Sequence, residues 1–143
     1  MLNREQMREF QDRIENTPSG ITIEGKEEFE NIKNGRQTAY VDIGWPNYIN
    51  FNFGDRIIFR DKGGEEAEAK VMRTSKRINS FNELIANEMI NGKVKRGETI
   101  NKFFPGLAEK EALDVYQNKF KPHLIENYGL VVIEFEVAEK KGE

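Results

Sequence analysis

Between Gln37 and Trp45 the chain reads Gln-Thr-Ala-Tyr-Val-Asp-Ile-Gly-Trp, and its polar members carry complementary chemistry. Strand alternation puts Ala39, Val41 and Ile43 on one face and Thr38, Tyr40 and Asp42 on the other. Asp42 then offers an acceptor and Tyr40 a donor, which suits the edge of a nucleobase, while Tyr40 or Trp45 can stack on a ring. Gln37, Thr38, Tyr40, Asp42 and Trp45 are therefore the candidate ligand-binding residues. The plainer reading is a solvated strand face with Trp45 as an aromatic plug beside its Pro turn.

A second kind of chemistry lies in the cations. Residues 1–69 carry 9 basic and 14 acidic groups, residues 70–102 carry 8 and 3, and residues 103–143 carry 5 and 8. The net charge of −3 thus hides a cationic middle band, which could attract a phosphate backbone. Alternation sends Arg73 and Arg77 to one face and Lys70 and Lys76 to the other, so these four cannot form one patch. Lys93, Lys95 and Arg96, in a basic loop expected over residues 91–97, are with Lys102 the candidate phosphate contacts. A mobile solvated loop is the bland alternative.

Other chemistries find little footing. No cysteine is present, so disulfides, thiolate metal sites and cysteine nucleophiles are excluded. His123 is the single histidine, and no spaced carboxylate–histidine set accompanies it, so neither a transition-metal site nor a Ser-His-Asp triad is expected. Gly63-Gly64 lacks the Lys-Ser/Thr ending of a phosphate loop, and Glu65, Glu66 and Glu68 read as a solvated acidic run. No cofactor is expected.

The elements that must position these residues follow from periodicity. With 143 residues, 37% apolar and ten Phe, the chain has the size and aromatic content of one domain with a real core. Asn3 and Gln6 with Met7, Phe10 and Ile14 predict an accessory helix within residues 1–19. Ile21-Thr22-Ile23 is a short strand, and Lys26 to Asn34 a helix with Phe29 and Ile32 inward, stopped by Asn34-Gly35. A strand follows Arg36, and another follows Gly54-Asp55. Lys62-Gly63-Gly64-Glu65 is a hairpin loop leading into a polar strand over 66–77. Ser80 with Glu83 is a capping box for a helix through Met89. Leu113, Tyr116 and Phe120 share a helix face, and Leu130 to Val137 is the strongest strand signal. The domain spans residues 20–139, with a charged tail over 140–143. This alternation predicts an α+β fold with a small, mixed or mostly antiparallel β-barrel flanked by helices.

The order of segments resembles the ASCH branch of the PUA-like superfamily. The resemblance is carried by Phe29-x-x-Ile32-x-Asn34-Gly35-Arg36-Gln37-Thr38 and Gly54-Asp55-x-Ile57-x-Phe59. It continues through Ser80-Phe81-x-x-Leu84, Phe104-Pro105-Gly106, the helix with Tyr116, and Tyr128-Gly129-x-Val131-Val132-Ile133-x-Phe135. It covers residues 21–137. It implies a PUA-like barrel with a cleft between barrel and helices, and RNA or nucleotide binding. Members of the family include an N4-acetylcytidine amidohydrolase and ribonuclease-like proteins. The family pattern Gly-x-Lys-x-x-Glu-x-Arg, or Thr for Glu, is altered here. Gly35 matches, but Gln37 replaces the lysine, Tyr40 the Glu or Thr, and Asp42 the arginine. An amide does not titrate, and an aspartate inverts the sign of an arginine.

Two principal functions follow as expectations. The first is a module binding RNA or a modified nucleoside; the second is a nucleoside amidohydrolase or ribonuclease in which Tyr40, Asp42 or Lys102 replaces the missing lysine. A protein-interaction adaptor working through the N-terminal helix is the third. The start of the chain lacks the apolar run of a signal peptide and no stretch reaches membrane-spanning length, so a cytoplasmic, membrane-free monomer is expected.

Overall fold

The computed structural model describes Arg4 and residues 19–45, 51–92 and 95–138. The accessory helix expected over 1–19 and the tail over 140–143 lie outside the described residues, Arg4 and Ser19 excepted. The element order is β1 (Ser19–Thr22), α1 (Lys26–Lys33), β2 (Ala39–Ile43), β3 (Arg56–Arg60), β4 (Glu66–Ile78), α2 (Phe81–Gly92), α3 (Arg96–Phe103), α4 (Glu109–Lys119), α5 (Pro122–Tyr128) and β5 (Leu130–Val137). The strands form one curled half-barrel in the order β1-β3-β4-β5-β2. β1 runs parallel to β3, and every other pairing is antiparallel. The α+β class and the barrel-like mixed sheet agree with the sequence pattern.

The apolar run of β5 has a simple cause. β5 lies between β4 and β2, and both of its faces are buried. Leu130 and Val132 enter a core beneath α2–α5, with Ala39, Val41 and Ile43 of β2 beside them. Val131, Ile133 and Phe135 enter a second core inside the curl, which α1 closes with Phe29 and Ile32. A strand buried on both sides reads as continuous apolar sequence rather than as alternation.

Local signals hold where they were strongest. Glu27 and Glu28 sit in the first turn of α1 and Lys33 in the last, each complementing the helix dipole. The helix stops as Gly35 turns to φ 77°, with the Gly35 and Arg36 amides donating to the Ile32 and Asn31 carbonyls. The Glu83 amide donates to Ser80 Oγ, and the Asn79 amide to the Glu83 carboxylate. The hairpin loop closes with the Glu65 amide on Asp61 Oδ1.

Three expectations are corrected. The face of β2 bearing Tyr40 is not solvated, since Tyr40 belongs to the inner core. The basic loop over 91–97 is shorter than expected, because α2 runs to Gly92 and α3 begins at Arg96. Simple alternation also fails along β4, where the register against β5 shifts between Val71 and Arg73 and again between Ser75 and Ile78. Each shift inserts one extra residue, and an extra residue re-aims the side chains that follow. Val71 therefore points into the inner core, whereas Arg73 stands opposite Glu134 on the helix-covered face.

Candidate functional site

The half-barrel leaves a seam between its two edge strands, β1 and β2, and there the chain forms a cleft of about 760 Å³. Its walls come from β1 and the start of α1, from β2, from the turn after α3, and from α4. Gln37, Tyr40, Asp42 and Trp45 all line it. Four of the five candidate ligand-binding residues are thus brought together. Thr38 is not among the lining residues. Its backbone ties β2 to α3 and β5 instead, its amide donating to the Lys102 carbonyl at 3.1 Å and its carbonyl accepting from the Phe135 amide at 3.0 Å.

Tyr40 and Asp42 share one strand face, and the Tyr40 hydroxyl donates to Asp42 Oδ2 at 3.1 Å. Asp42 Oδ1 accepts the Ile43 amide at 2.8 Å. Tyr40 is not a stacking platform. Its ring meets Phe59 edge-on at 5.8 Å, and Lys119 Nζ sits 5.2 Å from its centroid. Its work in the cleft is to orient the carboxylate. A carboxylate accepts at several lone-pair sites at once, so Asp42 can receive a ligand N–H as well.

Gln37 is 2% exposed and fixed at both ends of its reach, its amide donating to Glu28 Oε2 and to the Ala39 carbonyl, each at 3.1 Å. Glu28 Oε1 in turn receives Lys119 Nζ at 3.3 Å. A Gln37–Glu28–Lys119 chain therefore runs along one wall. Glu28 and Lys119 escape a reading of local sequence because they stand 91 residues apart and meet only through the fold.

The electrostatics of the cleft are acidic. Among the described residues Glu24, Glu27, Glu28 and Asp42 line it against a single basic residue, Lys119. A phosphate group would meet net negative charge there. A neutral ring carrying N–H donors would meet acceptors.

Three of the expected phosphate contacts, Lys95, Arg96 and Lys102, lie elsewhere. Arg96 is ion-paired with Glu109, which joins α3 to α4. Lys95 is exposed ahead of α3, and Lys93 lies outside the described residues. Lys102 is turned inward, with Nζ at 3.1 Å from Glu88 Oε1 and 3.4 Å from Glu134 Oε1. Arg73 Nη2 completes this cluster, 2.7 Å from Glu88 and 2.6 Å from Glu134. Of these, Lys95, Arg96, Lys102 and Arg73 do not line the cleft. Of the candidate catalytic groups, Tyr40 and Asp42 stand together while Lys102 belongs to the buried cluster.

Within that cluster Glu88 is fully buried. Its carboxyl is pushed above the ordinary range, first by burial and then by the neighbouring Glu134 carboxylate, against the opposing pull of Lys102 and Arg73. Among the described residues no group of His, Asp and Glu is arranged to hold a metal ion, and no helix is long and apolar enough to cross a membrane.

No protein-family model matches the sequence, and no curated protein matches it. Solved structures are similar to it in fold, two of them as follows. The crystal structure of hypothetical protein PH0355 superposes with a TM-score of 0.65 at 23% identity, over 85% of this chain and 100% of that one. The solution structure of protein PF0455 from Pyrococcus furiosus gives a TM-score of 0.55 at 24% identity, over 85% of this chain and 99% of that one. What this chain has in common with them is the fold, a helix-flanked half-barrel.

Proposed function

We propose that this protein binds a nucleobase, as a nucleoside or within RNA, in the seam of its half-barrel. The observation that carries the reading is the Tyr40–Asp42 pair, a carboxylate oriented by a phenol and facing a cleft of about 760 Å³. That volume falls within the range of small-molecule sites. Asp42 would accept the exocyclic amine of a base, and Trp45 at the rim would cover the ring face. The acidic walls favour an uncharged, donor-bearing ring over a phosphate inside the cleft. The order of segments shared with ASCH domains points the same way, and on this reading the protein acts in the cytoplasm.

Calorimetric titration with cytidine, adenosine and uridine tests the proposal. The amine-bearing cytidine and adenosine bind more tightly than uridine, and Asp42→Asn weakens them by about tenfold, the equivalent of 1.4 kcal/mol for one well-placed hydrogen bond to a charged group. Equal affinity of the three nucleosides for wild type and variant, or no binding of any, overturns it.

A further inference from the structure

A cation already sits on the wall of the cleft. Lys119 Nζ lies 5.2 Å from the centre of the Tyr40 ring and 5.4 Å from that of Phe120, with Glu28 Oε1 at 3.3 Å. All four residues line the cleft. The two rings turn the negative faces of their π-systems toward the ammonium, and the carboxylate supplies the opposite charge. The protein's own ammonium thus shows which sign of charge this wall accepts.

The other lining groups share that preference. Among the described lining residues four carboxylates, on Glu24, Glu27, Glu28 and Asp42, stand against the one ammonium, a net charge of −3. Glu24 precedes α1 and Glu27 lies in its first turn, both exposed at the cleft wall. At the rim the Trp45 indole packs against Tyr128, with ring centres 4.9 Å apart at 51°, so it is supported beside the cleft. Indole is the strongest cation–π partner among the side chains. A concave site walled by carboxylates concentrates cations. A flat ring that suits this cleft when neutral is therefore attracted more strongly when the ring itself is positive.

We infer that the ligand of this cleft is a nucleoside whose base carries a positive charge, the product of alkylation at a ring nitrogen. The inference rests on the cleft reading above and narrows it from nucleobases at large to cationic ones. Cytosine alkylated at N3 and adenine alkylated at N1 both keep the exocyclic amine that Asp42 accepts. The positive ring makes that amine a stronger donor, so the bond to the Asp42 carboxylate becomes charge-assisted at both ends. Trp45 covers the face of the charged ring, and a cleft of about 760 Å³ has room for the added methyl. The neutral parent base keeps the hydrogen bond and the stacking but gains nothing from the charge of the walls.

The test reads binding through the fluorescence of Trp45, the one tryptophan of the chain, at neutral pH. The probes are cytidine, 5-methylcytidine and 3-methylcytidine, of which only the last is cationic. 3-Methylcytidine binds about tenfold more tightly than cytidine, whereas 5-methylcytidine, with the methyl and the amine but no charge, stays within about twofold of cytidine. Added salt narrows the gap, because the attraction of the walls is screened. In the double variant Glu24→Gln, Glu27→Gln the ratio of 3-methylcytidine to cytidine affinity drops to about threefold or less. Glutamine keeps the side-chain size at both positions and the helix propensity in α1, so the variant keeps its fold. Equal affinity of wild type for 3-methylcytidine and cytidine overturns the inference, as does a matching gain for 5-methylcytidine or an undiminished ratio in the double variant. In each of those cases cytidine still binds and the cleft reading stands. Failure of the cleft reading is distinct, since then none of the three nucleosides binds and both fall together.

Discussion

Tyr40 Oη lies 3.1 Å from Asp42 Oδ2, so a phenol buried in the inner core orients a carboxylate that lines the cleft. The two residues alternate with Ala39, Val41 and Ile43, which serve the opposite core. One short strand thus binds both layers of the fold and presents the polar pair. Tyr40→Phe keeps the ring packed against Phe59 and removes only the donor. The expected cost is about 1 kcal/mol in denaturant unfolding, with a several-fold loss of cytidine affinity. Unchanged affinity with the same stability loss would leave the hydroxyl a purely structural role.

The buried Glu88 gives the fold a pH dependence with a definite sign. Its carboxyl holds a proton more tightly folded than unfolded, so its contribution is full at acid pH and declines as pH rises from about 4.5 through its raised folded value. Glu88→Gln removes that titration. Tm measured from pH 4.5 upward should fall less steeply in Glu88→Gln than in wild type, and parallel curves would refute the assignment. Glu88→Ala leaves Arg73 and Lys102 facing Glu134 alone, and should cost about 3 kcal/mol.

Two glycines separate crowding from backbone strain. Gly35 has φ 77°, and a Cβ placed there would have nothing within 4 Å, so Gly35→Ala should cost about 1 kcal/mol for conformation alone. Gly44→Ala would press a methyl to 2.6 Å of the Tyr128 carbonyl and force β2 away from the α5–β5 turn. Its cost should exceed that of Gly35→Ala, reaching about 2–3 kcal/mol. Urea denaturation of the two variants side by side checks the order.

Arg96 separates the cationic loop from the binding surface. Its ion pair with the exposed Glu109 is solvent-screened, and it does not line the cleft. Arg96→Ala and Lys95→Ala should each change the affinity for a short cytidine-bearing RNA by no more than about twofold in filter binding. A tenfold loss in either would restore the loop as a phosphate contact.

The legible parts of this molecule were those fixed by neighbouring residues. The Asn34-Gly35 stop, the Ser80–Glu83 cap, the Lys62–Glu65 hairpin loop and the run of β5 each follow from a few adjacent side chains. α3 and α5 were hidden because they are short, and because Thr99, Ile100 and Phe103, or Ile125, owe their helical geometry to packing beneath the sheet. The cleft was half legible. Gln37, Tyr40, Asp42 and Trp45 share one stretch of chain, whereas Glu28 and Lys119 arrive from distant helices. The fate of the cations was hidden most deeply. A one-residue bulge after Val71 sends Arg73 to Glu88 and Glu134, and no periodicity in β4 announces it.

The most direct test of the cleft is a titration of isotope-labelled protein with cytidine, followed by backbone and indole NMR shifts. The account predicts perturbations that saturate together at Gln37, Tyr40, Asp42 and the Trp45 indole, with little change at Glu88 or Glu134. An unmoved spectrum, or shifts confined to the Arg73–Glu88–Lys102–Glu134 cluster, would contradict it.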